Sequence, residues 1–161
     1  MASPTFDRTR AQELYPELAR LYPGLTRYVE KKIRPGGFVR AVLENDLSSA
    51  LSWADSENRD RLSEVVGMIQ DCVPAGIQGS REVVWLHLNQ DKVNAAVSAM
   101  LVEMEAKVEG GEALPPEVWA EAAMRTAAEA WVGVDSTDLD SVLTIRAFID
   151  AVKREVSQVQ Q

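Results

Sequence analysis

Few side chains in this sequence are equipped for chemistry. His87 is the sole histidine and Cys72 the sole cysteine. Acid–base catalysis needs an imidazole oriented by a second polar group, and a histidine-containing zinc site needs clustered ligands. His87 follows Trp85 and Leu86 on a predicted helix, so a half-buried or surface structural role is expected. Cys72 falls on an apolar stripe with Val65 and Ile69. A reactive thiolate needs an accessible, electropositive setting, so this spacing predicts core packing. A single cysteine also excludes an internal disulfide and a four-thiolate zinc site.

The acidic clusters fare no better as catalytic sites. Glu44 and Asp46 flank Asn45, and at i and i+2 on a continuous helix the two carboxylates would point apart. Asn45 and Asp46 have two readings: they hydrogen-bond the backbone of the neighbouring glycine turn, or they face a partner. The run Asp135-Ser136-Thr137-Asp138-Leu139-Asp140 lacks the ligand spacing and the sixth-position glycine of a calcium loop, so helix capping accounts for it. Gly36-Gly37 has no preceding strand or Walker lysine and reads as a turn. No catalytic, cofactor-binding or metal-ligating residue is assigned, no cofactor is expected, and the chain does not read as an enzyme.

Surface recognition is the remaining chemistry. Of the tryptophans at 53, 85, 119 and 131, each has core packing as its default. Trp53, however, lies off the main stripe of its predicted helix, and aromatic side chains favour interface centres. Trp53, Trp85, Asn45 and Asp46 are therefore the candidate protein-binding residues. The acids Glu57, Asp60, Glu64, Glu103, Glu105, Glu109, Glu112, Glu117 and Glu121 could imitate a row of phosphates, though most such faces are simply solvated.

The elements that must position these residues are all helical. Two short pieces are predicted over 7–21, interrupted at Pro16, followed by a turn at Tyr22-Pro23-Gly24 and a helix from Leu25 to Ile33. Arg34-Pro35-Gly36-Gly37 breaks the chain. Phe38 to Ala54 reads as one helix, its stripe made by Phe38, Val39, Val42, Leu43, Leu47, Ala50, Leu51 and Ala54. A helix over about 57–73 is capped by Asp55 or Ser56, and Ser80 caps the next, which runs through Leu88. A separate long helix begins near Asp91, carries Val93, Val97, Met100, Leu101, Met104 and Val108, and stops at Gly110-Gly111. Further helices are predicted from Pro115-Pro116 to Gly133 and from about Asp135 onward. No period-two alternation is sustained, so the expected fold is an all-α bundle of five to seven helices with no sheet. Any subdivision falls near Asn89, giving an N-terminal unit over 1–88 and a C-terminal extension over 89–161 packed on it as one domain.

Charge is uneven along the chain. Residues 1–40 carry eight basic against four acidic side chains, and the remainder nine against 21. The net charge of −8 disfavours nucleic-acid binding, leaving an acidic DNA mimic or the basic N-terminal segment as alternative routes to such a role. Opposite charge at the two ends could also drive homo-oligomerisation. No apolar run is long enough for a membrane span, and the charges in the first eight residues do not suit a signal peptide. A cytoplasmic location with no membrane association is expected.

The stretch from Pro35 through Gly36-Gly37-Phe38 to Val42-Leu43-Glu44-Asn45-Asp46-Leu47, with Ala54-Asp55, Asn58, Pro74 and Gly79-Ser80 beyond it, resembles a group of small helical proteins encoded by phages and prophages. Its members share a glycine-glycine-aromatic turn, a valine-leucine-x-asparagine-aspartate-leucine segment, an alanine-aspartate junction and a late glycine-serine cap. The resemblance covers residues 24–88 and implies a mobile-element origin rather than an activity. The further seventy or so residues depart from it. Together these readings lead to the expectation of a non-enzymatic protein-interaction module acting in a bacterial host, with a host or phage protein as its partner.

Overall fold

Asn45 adopts a left-handed backbone, with φ of 59°, and this one residue divides what would otherwise be a continuous apolar stripe. The Asn45 amide donates to the Val42 carbonyl at 3.0 Å and the Asp46 amide to the Ala41 carbonyl at 2.8 Å. This is the paired bonding of a Schellman helix stop, in which asparagine tolerates the left-handed conformation better than most residues. Asp46 then starts the next helix, its carboxylate accepting from the Ser49 amide at 3.0 Å and the Ser49 hydroxyl at 2.7 Å. The single helix expected from Phe38 to Ala54 is thus two, and Leu47 and Leu51 leave the buried stripe to stand 47% and 45% exposed.

The computed structural model describes residues 3–111 together with Val118, Glu121, Ala122 and Arg125. Among these residues the fold is all-α: α1 Arg8–Leu14, α2 Tyr22–Lys31, α3 Gly37–Leu43, α4 Leu47–Trp53, α5 Ser56–Asp60, α6 Leu62–Cys72 and α7 Arg81–Glu109, with 3-10 turns at Pro16–Leu21 and Ala75–Ile77. No strand occurs among them, and no helix among them is long and apolar enough to cross a membrane. The predicted elements from Pro115 onward lie outside the described residues, apart from the four named positions, which are helical. The chain divides into two units, Met1–Leu88 and Asn89–Gln161.

In the first unit, the core is drawn from every helix except α5. Leu18, Leu25, Tyr28, Val29, Leu43, Val65, Met68, Ile69 and Val84 are its largest fully buried side chains. Tyr22-Pro23-Gly24 is not the predicted turn but the opening of α2. Proline is tolerated there because the first-turn amides have no partner inside the helix. Lys32, with φ of 54°, ends α2, so Ile33 swings out of the expected stripe and is 48% exposed. Helix α5 is separate from α6 because Arg61 departs from helical geometry at φ of −108°. Asp55 caps α5 through the Asn58 amide at 2.7 Å.

Two side chains secure the C-terminal end of α6. Gln78 Nε2 donates to the Ile69 and Val73 carbonyls at 2.9 and 2.7 Å, adding a second partner to the Ile69 oxygen, which also accepts from the Val73 amide. Tyr15 donates its hydroxyl to Asp71 at 2.6 Å, tying the end of α1 to α6. That hydrogen bond, then burial, pushes the Tyr15 phenol up to about 12.

Arg81–Glu109 is one helix, where two were expected with a break near Asn89. Asn89, Gln90 and Asp91 are polar, but none forbids helix, and Gln90 donates to Asn94 one turn on at 2.8 Å. Ser80 begins α7 as predicted, accepting from the Val83 amide at 3.3 Å. In the second unit Val93, Met100, Met104 and Ala122 are buried, and Arg125 pairs with Glu103 at 2.8 Å. Val108, expected on the same stripe, is 53% exposed in the last turn before the Gly110-Gly111 stop.

Two outcomes follow from these local devices. Asn45→Gly should leave stability nearly unchanged, whereas Asn45→Val should lower it by about 1–2 kcal/mol, because a branched side chain resists positive φ. Urea unfolding of the two variants checks this. The Tyr15 phenol is raised relative to the unfolded chain, so its contribution is fully present below pH about 10 and disappears as pH rises through about 12. Alkaline spectrophotometric titration should therefore show a tyrosine near 12 that moves earlier in Asp71→Ala, while Tyr22 and Tyr28, raised by burial, are unmoved.

Candidate functional site

Trp53 closes α4 with its side chain in the open, 53% exposed, yet it is not loose. The indole occupies the space a side chain at Gly37 would need: a Cβ there would fall 2.0 Å from Trp53 Cε3. The guanidinium of Arg40 lies over the ring, its Cζ 5.8 Å from the centroid, within reach of a cation–π attraction. Two features of α3 therefore seat the aromatic: a missing side chain at its first residue and a cation one turn later. The glycine of the predicted Gly36-Gly37 turn thus serves α4 as well as the turn, with Gly36 in the cap position of α3.

Arg40 also reaches into a charged cluster at the corner between α3 and α4. Its Nε lies 3.6 Å from Glu44 Oε1, and Arg81 Nε lies 3.6 Å from Glu44 Oε2. The Glu44 side chain is 8% exposed. Arg81 reaches Asp46 Oδ2 as well, at 3.7 Å. The carboxylates of Glu44 and Asp46 were expected to diverge along one helix. They instead converge on Arg81, because the left-handed Asn45 between them ends that helix. Hydrogen bonds from the Ser49 amide and hydroxyl, ahead of the charge of Arg81, hold the Asp46 carboxyl below its ordinary range. The structural reading of Asn45 and Asp46 is the one realised, though in a different form: they stop and restart the helix rather than bonding to the glycine turn.

The other candidates fall elsewhere. Trp85 is half-buried on α7. His87 is more deeply placed than expected, at 6% exposure. Its Nε2 lies 2.8 Å from the Tyr28 carbonyl, and its ring meets the Tyr28 ring edge-on at 4.8 Å. A carbonyl can only accept, so Nε2 carries the proton. Tyr28 in turn donates its hydroxyl to the Ile77 carbonyl, and burial pushes its phenol well above the ordinary range. Cys72 is 3% exposed, and burial, followed by the negative charges of Asp7 and Asp71, pushes its thiol up. It borders a cleft of about 510 Å³ shared with Thr5, Phe6, Asp7, Asp71 and Pro74. Among the described residues no group of three or more histidine, cysteine or acidic side chains is arranged to hold a metal ion.

The acidic row is partly neutralised from within. Glu57 pairs with Arg20 at 3.2 Å, Glu64 with Arg61 at 3.0 Å, and Glu103 with Lys107 at 3.3 Å in addition to Arg125. Glu112, Glu117, Trp119, Trp131 and the Asp135–Asp140 run lie outside the described residues. Leu47 and Leu51, assigned to the core by periodicity, add exposed apolar surface to α4. The signal that separates them from the core was present in the Asn45-Asp46 pair, since both residue types are poor in helix interiors and good at helix ends.

No protein-family model matches the chain, and neither does any curated protein or solved structure. The site must therefore be read on its own geometry.

Packing between Gly37 and Trp53 can be measured directly. Gly37→Ala should expel the indole and abolish the Arg40 contact, a loss of about 0.5–1 kcal/mol. In a Trp53→Ala background the same change should cost nothing, so the two substitutions should be non-additive in a double-mutant cycle read by thermal unfolding.

Proposed function

We propose that this chain is a non-enzymatic protein-interaction module whose contact surface is centred on Trp53. The observation that carries the reading is a large aromatic side chain 53% exposed yet seated against Gly37 and Arg40. An ordered, exposed indole loses little rotamer freedom on binding, and tryptophan is over-represented among the residues that dominate interface energies. Leu47 and Leu51 on the same helix extend the apolar surface. The partner this surface suits is a protein with an apolar pocket deep enough for one indole. Action in the cytoplasm of a bacterial host, through a host or phage protein that it modulates or inhibits, belongs to the same proposal and rests on the resemblance of residues 24–88 to phage-encoded proteins.

Nucleic-acid mimicry is the weaker alternative. Glu57, Glu64 and Glu103 already engage arginine or lysine side chains of the chain itself, which blunts the uniform negative field that a phosphate mimic needs.

A photo-crosslinking residue placed at position 51 of the tagged full-length chain should capture one specific protein from nuclease-treated bacterial lysate. Trp53→Ala should reduce that capture by about thirtyfold, the loss expected of an interface anchor. The same crosslinker in place of Val102, itself 67% exposed, should not capture it. Capture indifferent to Trp53→Ala, or capture lost steeply with modest salt, would overturn the reading in favour of a charge-driven contact.

A further inference from the structure

Helix α1 and the residues before it pack on α6 with little apolar attachment. Of residues 3–14 only Phe6 and Ala11 are buried, and Ala11 offers a single methyl group. By contrast, α2 buries Tyr22, Leu25, Tyr28 and Val29, and α6 buries Val65, Met68, Ile69 and Cys72. Apolar burial scales with the area removed from water, so the ring of Phe6 is the main apolar hold on this segment. It rests against Tyr22, with 5.8 Å between ring centroids.

The other attachments are polar. The Asp7 amide donates to the Cys72 carbonyl at 3.0 Å. The Tyr22 hydroxyl lies 2.8 Å from the Ala11 carbonyl oxygen and 2.7 Å from that of Tyr15, so one proton serves both. Asp71 accepts from Tyr15 on one oxygen and lies 3.7 Å from Arg10 Nη2 on the other. Arg10 and Asp71 are open to solvent, and water replaces such partners at small net cost. The chain leaves helical geometry at Tyr15, with φ of −134°, and Pro16 follows. Beyond that point Leu18 is fully buried, which fixes the chain on the far side. Cys72, 3% exposed, lines the same cleft as Thr5, Phe6, Asp7 and Asp71.

We propose that residues 3–14 form a lid hinged at Tyr15-Pro16, which lifts from α6 as a unit while the helices beneath stay folded, and that Cys72 is the group it uncovers. Lifting parts Phe6 from Tyr22, frees the Cys72 carbonyl from the Asp7 amide, and releases the Ala11 carbonyl from the Tyr22 hydroxyl. These contacts break together because one short helix and its leading residues carry them all. The open lid admits disulfide exchange at the one thiol of the chain, and the closed lid prevents it. The inference stands apart from the binding reading, since opening of α1 is observable with no partner present.

Thiol labelling of the full-length chain with an aromatic disulfide, dithiobis(nitrobenzoate), tests it. The Cys72 thiol gives its proton to solvent, and the thiolate attacks one sulfur of the probe. A mixed disulfide forms and a thionitrobenzoate anion leaves, which is followed by its absorbance. Because lifting the lid exposes little surface, the labelling rate should be nearly flat in urea below the unfolding transition. Phe6→Ala should raise that flat rate at least about tenfold. Tyr22→Phe keeps the ring against Phe6 but removes the hydroxyl, and should raise it by a smaller factor. Val84→Ala thins the core outside the lid, and should leave the rate without urea unchanged. Should Phe6→Ala fail to fold, Phe6→Leu decides by the same criterion. A rate that climbs from zero urea with the full slope of global unfolding would overturn the lid, as would an acceleration in Phe6→Ala no larger than in Val84→Ala.

Discussion

The positive φ of Asn45 is the constraint on which the corner between α3 and α4 depends. By ending α3 there, the chain brings Glu44 and Asp46 to the same guanidinium, frees Asp46 to cap α4, and directs α4 back so that Trp53 meets Gly37. A right-handed residue at this position would continue the helix, carry the two carboxylates to different sides, and move Trp53 away from the glycine that makes room for it. The charged corner and the seated indole are both consequences of one backbone reversal.

Tyr28 does comparable work within the core. It is fully buried, its carbonyl meets the His87 imidazole, and its hydroxyl meets the Ile77 carbonyl. A polar group removed from water is costly unless it is paired, and these pairings reconcile α2 with both the 3-10 turn and α7. The sole imidazole of the chain is buried against α2, its protonated nitrogen donating to the Tyr28 carbonyl and its ring edge-on to the Tyr28 ring.

Much of this was legible in the residues. The all-helical class, the caps at Asp55 and Ser80, the stop at Arg34-Pro35-Gly36-Gly37 and the burial of Cys72 follow from side-chain chemistry acting within a few residues, where one sequence is sufficient. The errors arise where two local signals compete. Apolar spacing through Leu47 and Leu51 argued for one helix, and it prevailed on paper over the helix-ending character of Asn45-Asp46, which prevails in the fold. Near Asn89 a break between two helices was expected where backbone propensity permits one helix throughout. The Arg40–Glu44–Arg81 cluster was not legible, because Arg81 is distant in sequence and only the reversal at Asn45 brings its partners into range. The prominence of Trp53 was inferable from its off-stripe position, but its seat on Gly37 was not.

Gln78 holds its place by being an amide and not an acid. Its side-chain nitrogen donates to two carbonyls at the end of α6, and nothing but that nitrogen distinguishes it in shape from glutamate. Glutamate at this position would change the volume of the side chain hardly at all. It would nevertheless set a carboxylate against two carbonyl oxygens at the negative end of a helix dipole. The loop therefore depends on the donor character of one side-chain amide, since a carboxylate of the same shape would convert a cap into a repulsion.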